Sequence, residues 1–292
     1  MANLRDLRQR ITSVGNIQKI TRAMEMVATT KLRRFQERAV AARPYSGEIA
    51  GLVQRLSSSA GADLPEDTAR LFRRGREDAP VWILFVGSDR GLCGAYNTNA
   101  GRRLDQEAAS LEAEGRSFEV LAIGRKAVQH AHRKGYPVRA FLEDLSLEKL
   151  DFQQAARVSR MLVQGFLGGQ TCEVRLCYTR FVSMMKYMPR VDAFLPVAPA
   201  EQEDTGLAPD LILEPDAPTL LGRLIPRYLE TSVFHALLES VTSEYASRRF
   251  AMKNATDAAG EMKAEITRDY NKARQAKITS EILEIVSGAE AL

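Results

Sequence analysis

The sequence predicts an open α/β block set between two long amphipathic helices. Three features predict it: helically spaced apolar residues at the front, the same spacing at the back, and apolar runs alternating with helical stretches between them. At the front, Leu4, Leu7, Ile11, Val14, Gln18, Thr21, Met24, Ala28, Lys31 and Phe35 recur at steps of three and four, with the charges elsewhere on the cylinder. At the back, Leu221, Leu224, Leu229, Val233, Leu237, Val241, Met252, Ala255, Ala259, Met262, Ile266, Ala273 and Ile282 trace a similar stripe. Stripes so far apart in sequence can be buried against each other or against partners.

The middle elements follow in order. SSSAGADLPED and RRGRED break the helical rhythm near residues 57 to 79. VWILFV (81 to 86) is a continuous apolar run and reads as a buried strand, followed by the turn-rich SDRGLCGAYNTN and a helix to about Glu114. FEVLAIG (118 to 124) is the next strand, then a short helix RKAVQHAHRKG, and a third strand VRAFLE (138 to 143). LSLEKLDFQQAARVSRMLVQGFLGG reads as one helix stopped at Gly168 and Gly169. TCEVRLCYTRFVS (171 to 183) and RVDAFLP (190 to 196) close the block, and the short turn between them predicts an antiparallel edge on a mostly parallel sheet. Pro226 should begin or kink the back helix. The expected division is a helix over 1–57, a Rossmann-like α/β domain over 75–200 and a helix over 212–288.

Composition narrows the function. The chain is 45% hydrophobic and 27% charged, with no apolar run near the roughly 20 residues of a membrane span. Its first residues enter the helical pattern at once, so no signal or transit segment is expected. Cys93, Cys172 and Cys177 are too few and odd in number for a disulfide framework, and read as small buried hydrophobes. If 171 to 178 is a strand, Cys172 and Cys177 point to opposite faces. Residues 1 to 43 hold ten Arg or Lys against three acids, and residues 248 to 277 hold eight against four, so these stretches carry +7 and +4 within a chain of net +4. Such basic helices favour an acidic partner: nucleic acid, an anionic surface or an acidic protein.

No reaction is legible. The loop from Gly87 to Gly94 sits where a nucleotide loop would, but neither G-x-G-x-x-G nor G-x-x-x-x-G-K-[ST] occurs, and Gly124-Arg125-Lys126 stands where a ribose-binding acid would be needed. A packing and turn role is expected for these glycines. His130 and His132, two apart, belong on a solvated helix surface, and His235 pairs with Glu239 four residues on. Cys93 has no neighbouring His, H-E-x-x-H and G-x-S-x-G are absent, and Glu143-Asp144 is loop acidity. No catalytic residue, cofactor or metal is expected.

Long motifs in fixed order are more specific. TSVGNIQKITRAMEMVATTKLRR at the front and YNKARQAKITSEILEIVSGAEAL at the back, with SDRGLCGAYNTN and the EPD before the back helix, closely resemble the gamma subunit of F-type ATP synthases over essentially the whole chain. The resemblance implies an antiparallel, left-handed two-helix coiled coil with an inserted Rossmann-like domain, working as a central rotor stalk. It would couple proton-driven rotation of the c ring to ATP synthesis and hydrolysis in a ring of three alpha and three beta subunits. Helices of some 55 and 70 residues span roughly 80 and 105 Å, so the back helix must outrun its partner, and its tip IVSGAEAL should enter an apolar sleeve of the ring. Small residues such as Ala23, Ala28, Ala255, Ala258, Ala259, Ala273 and Ala276 would keep the pair slim.

The resemblance also implies partner contacts. Met24, Lys31, Arg33 and Arg34 in front, with Arg274, Gln275, Thr279, Glu281 and Ile285 behind, would face the alpha and beta ring. Arg43, Tyr45, Leu207, Asp210 and Glu214 would seat the c ring and the epsilon subunit. Ala95-Tyr96 departs from the family's loop, and the cysteine-bearing insertion of the chloroplast form is missing. A bacterial protein, peripheral on the cytoplasmic side of the cell membrane and touching it only through its complex, is expected. The other reading is a basic coiled-coil arm binding nucleic acid; against it, Phe35 is the only aromatic residue among the first 43.

Overall fold

The computed structural model describes residues 4–59, 64–197 and 216–290. In chain order the elements are α1 (Leu4–Ser59), α2 (Glu66–Arg70), β1 (Val81–Val86), α3 (Tyr96–Ala113), β2 (Phe118–Ile123), α4 (Arg125–Lys134), β3 (Val138–Phe141), α5 (Phe152–Leu167), β4 (Glu173–Phe181), β5 (Tyr187–Leu195) and α6 (Ala217–Glu290). The chain divides into two compact units, residues 1–30 with 248–292 and residues 31–247.

In the larger unit the sheet order is β3-β2-β1-β4-β5, with β1 to β4 parallel and β5 antiparallel to β4, as the short turn predicted. Both faces are covered, which is why β1 is buried along its whole length. Val81, Ile83 and Phe85 point into a core completed by Val120 and Ala122 of β2, Leu104 and Ala108 of α3, and Ala127 and Ala131 of α4. On the other face Trp82 meets α5 at Gly165, where a Cβ would lie 2.1 Å from the indole ring.

Several elements differ from expectation for physical reasons. The helix expected from Leu145 begins only at Phe152, because Asp151 caps it: its carboxylate accepts the Gln154 amide at 2.7 Å while the Gln154 side chain accepts the Asp151 amide. Only a short 3-10 turn over Leu147–Lys149 precedes it. β5 starts at Tyr187, three residues early, because Phe181 and Tyr187 are ladder partners and the turn is tighter than the sequence suggested. Pro226 neither begins nor ends α6, which starts at Ala217 under an Asp216 cap accepting the Thr219 amide at 2.8 Å. Pro44 likewise lies inside α1. Cys172 and Cys177 share one core cluster, because Cys172 precedes β4 and escapes strand alternation; all three cysteines are buried thiols.

In the smaller unit the two terminal helices pair antiparallel. Thr256 Oγ1 donates to Thr21 Oγ1 at 2.8 Å, a Cβ on Gly260 would lie 2.9 Å from Gln18 Nε2, and one on Gly15 would lie 3.8 Å from Lys263, so positions rise on one helix as they fall on the other. Leu7 and Ala28 are buried and Ile11, Val14, Gln18, Thr21 and Met24 half-buried, matching the front stripe. The back stripe holds at Met252, Ala255, Ala259, Ile266 and Ala273, but Met262 is exposed; glycine and lysine at 260 and 263 take the facing positions instead.

Candidate partner-binding surfaces

The larger unit fastens its α/β domain to α1 and α6 with polar contacts. Lys31 Nζ donates to Glu148 at 2.8 Å and to Tyr245 Oη at 3.2 Å, and Tyr245 donates to the second Glu148 oxygen at 2.5 Å. Burial would raise the Glu148 carboxyl, but the hydrogen bonds from Lys31 and Tyr245 outweigh it and hold the group below its ordinary range. Phe35 stacks on Tyr245 at 5.6 Å, and Arg38 donates to the Leu150 carbonyl at 2.6 Å. Farther along α6, Ser240 Oγ accepts the Thr179 amide at 3.3 Å and Ser243 donates to the Thr179 carbonyl at 3.2 Å.

The glycine-rich loop after β1 is built for packing. Gly87 would drive a Cβ to 2.9 Å from the Ala127 nitrogen, and Gly124, at φ +88°, would place one 2.3 Å from the Gly87 carbonyl, so neither turn admits a side chain. The Ser88 amide donates to Asn97 Oδ1 at 3.1 Å, Asn97 Nδ2 returns to Ser88 Oγ at 2.7 Å, and Ser247 donates to the Cys93 carbonyl at 2.6 Å. The loop's polar groups are therefore tied to the chain itself, and Leu92 is left exposed at φ +62°, a conformation that costs a non-glycine residue about 1 kcal/mol or more.

The histidines do not form a site. His130 is not solvated as expected: its side chain is only 16% exposed, contacts Asp105 at 2.8 Å and packs on Phe85, because Gly101 opens a space on α3 for its ring. Tyr136 and Lys134 also donate to Asp105; burial raises that carboxyl, but these partners hold it below the usual range, while burial and Asp105 push Tyr136 up to about 12. His235 lies 3.8 Å from Glu239, the pairing its spacing suggested. Among the described residues no three His, Cys, Asp or Glu side chains are grouped to hold a metal, and no helix is long and apolar enough to cross a membrane.

The residues singled out from the sequence fall into three groups. Arg33, Arg34, Arg274, Gln275, Thr279, Glu281 and Ile285 are exposed, Arg33 pairing with Glu37 and Lys277 with Glu281 on their own helices. Met24 is half-buried on the paired face, and Lys31 is engaged with Glu148 and Tyr245. Tyr45 is exposed; the Arg43 side chain and Leu207, Asp210 and Glu214 lie outside the described residues. Sequence reasoning passed over Ile17, Ile20, Met26 and Val27, all more than half exposed on α1, and Ile278 and Leu283 beside Ile282, Ile285 and Val286 on α6. The signal that would have found them is negative: they are apolar residues that fall off the buried stripe.

Comparison with known proteins agrees with this arrangement. A family model described as ATP synthase matches residues 3–292. The ATP synthase gamma chain of Moorella thermoacetica is 41% identical over 293 residues, covering 100% of both chains, and that of Geotalea daltonii is 38% identical over 292 residues, covering 100% of this chain and 99% of its own. Among solved structures, a chain of the Euglena gracilis mitochondrial ATP synthase OSCP/F1/c-ring assembly superposes with a TM-score of 0.65 at 18% identity, over 99% of this chain and 94% of that one. A chain of the Tetrahymena thermophila central stalk and c-ring structure gives 0.57 at 22% identity, over 81% and 99%. These two show a shared fold, whereas the full-length identity to the bacterial gamma chains shows kinship, and gives nucleic-acid binding no support: the chain belongs to the ATP synthase gamma chain family.

Proposed function

We propose that this chain is a rotor stalk that turns inside a ring of three alpha and three beta subunits, seats on a c ring and carries an epsilon subunit, and that it catalyses nothing itself. The observation that carries the reading is the antiparallel pairing of the two chain ends, with exposed apolar and basic side chains on the outer faces and on the last turns of α6. A two-helix pair is unequal around its axis, so a threefold ring around it meets a different face at each of its three sites. Contact that differs among open and closed sites shifts their populations, and contact equal at all of them would shift nothing. Rotation then changes which site is open.

In this reading segments 1–57 and 212–288 make the shaft and 75–200 the carried domain. Arg33, Arg34, Arg274, Gln275, Thr279, Glu281 and Ile285, which are exposed, are the stronger ring contacts, with the basic ones meeting acidic loops of the ring. Met24 and Lys31 act from half-buried positions, and Arg43, Tyr45, Leu207, Asp210 and Glu214 serve the foot. The protein is peripheral on the cytoplasmic side of the membrane and reaches it only through the complex. Gentle purification of the tagged full chain from its native cells, followed by native mass measurement, tests this. Two larger subunits in three-to-one amounts relative to this chain are expected; recovery of the chain alone, or as a simple dimer, would refute the proposal.

A further inference from the structure

Three of the chain's nine methionines, Met184, Met185 and Met188, fall within five residues at the turn between β4 and β5. All three are at least half exposed, and Met185, at 85%, is the most exposed large apolar side chain among the described residues. The exposure is built in, because the turn is closed by its own polar groups. Ser183 and Lys186 exchange amide-to-carbonyl bonds at 2.8 and 3.2 Å, and the Val182 amide donates to the Lys186 carbonyl at 3.1 Å. Ser183 Oγ accepts the Met185 and Lys186 amides at 3.3 and 3.1 Å. One residue on, Tyr187 donates to Ser247 Oγ at 2.9 Å and ties the hairpin to α6. Ser247 in turn holds the Cys93 carbonyl at 2.6 Å, which brings exposed Leu92 to the same end of the sheet.

A buried methionine fills space in a core; a cluster held in solvent offers its thioethers to oxidants instead. We propose that this triad is a reversible oxidation site for hydrogen peroxide, with Met185 reacting first, and that the reaction turns an apolar end of the α/β domain polar without unfolding it. The sulfur lone pair attacks one peroxide oxygen and the O–O bond breaks. That oxygen stays on sulfur as the sulfoxide, while the other leaves with both protons as water; sulfur gives up two electrons and the peroxide takes them. The bonds that close the turn come from backbone and serine, not from thioethers, so the added oxygen leaves the hairpin closed. Met252, 5% exposed on α6, is the opposite case, since peroxide reaches it only when the structure opens.

Timed exposure of the full chain to hydrogen peroxide, followed by peptide mass mapping, tests the proposal. Met185 should gain an oxygen first, ahead of the exposed Met26 and Met262 and at least about tenfold faster than Met252. In urea the four rates should fall within about twofold of one another, because the order comes from the fold. Chain oxidised at the triad alone should melt within about 2 °C of the parent, and the two methionine sulfoxide reductases, one for each epimer, should restore the unmodified mass. Met185→Leu, which keeps volume and apolarity, should remove the first product and leave melting unchanged. The proposal is overturned if Met185 does not lead in the folded chain, or if it leads by the same margin in urea. A larger fall in melting temperature on triad oxidation, or sulfoxides that the reductases cannot reverse, also overturns it.

Discussion

Glu173 shows how single side chains stabilise the sheet. Its carboxylate, nearly buried, accepts from Arg116 at 2.6 Å and Arg175 at 2.5 Å, while Arg175 reaches on to Glu107, itself paired with Arg103 at 2.9 Å. Burial favours the protonated acid, but the two guanidinium hydrogen bonds outweigh it and lower the pKa from its ordinary 4.5. A depressed carboxyl contributes stability above the unfolded pKa and loses it as pH falls through the folded one. Glu173→Gln should therefore destabilise the chain by about 2 kcal/mol at pH 7, and in urea melts the gap between variant and parent should narrow below about pH 4.5. A gap that stays constant to pH 3 would remove this account. Such networks were not legible in the sequence, because Glu107 of α3 and Arg116 just after it meet Glu173 and Arg175 of β4 only once the helix packs on the sheet. The same holds for His130, whose partner lies on another helix, and for Lys31, a stripe position whose ammonium finds Glu148 more than a hundred residues away.

At the scale of elements, close approach is set by glycine. Trp82, the only tryptophan, packs where α5 has no side chain at Gly165, with Arg139 over its ring at 4.4 Å and Glu119 accepting its indole N–H at 3.0 Å. Gly165→Ala should cost about 1–3 kcal/mol by overpacking, despite the better helix propensity of alanine, and should shift the Trp82 emission. Gly47→Ala in α1, where nothing lies within 4 Å of the added methyl, should instead stabilise by about 0.5–1 kcal/mol. Denaturant melts followed by fluorescence and circular dichroism separate the two cases, and equal effects would contradict the packing argument. Strand β1 and the front stripe were readable because each obeys one period over its length. From Leu229 to Ser247 the stripe read at Leu229, Val233, Leu237 and Val241 is buried, but α6 is enclosed there on nearly every side, so the burial of its polar residues such as Glu239, Ser240 and Ser243 lay beyond what one stripe could show. The late start of α5 was missed because the Asp151-Gln154 box lies within an otherwise helical pattern.

For the whole molecule, the last turns of α6 matter most. From Arg274 to Ser287 every residue is exposed, including Ile285 at 72%, so these turns stabilise nothing within the chain. A chain ending at Ala273 should melt within about 2 °C of the full chain on its own, whereas the assembled complex containing it should lose thermal stability, since only bound surface adds to stability by mass action. Scanning calorimetry of both preparations checks this; an unchanged complex would mean that the tip is not held. The motifs at both ends made the family legible, and the rhythm around them placed Gln18 and Thr21 on the front stripe, yet the facing Thr256 and Gly260 were not placed, because they carry no hydrophobic signal. That pairing also has a consequence for biosynthesis. The partner of the first thirty residues leaves the ribosome more than two hundred residues later, a delay of roughly ten to forty seconds at bacterial or slower elongation rates. During that interval the emerging amphipathic segment has nothing of its own to cover it, and a nascent-chain holdase is the natural custodian.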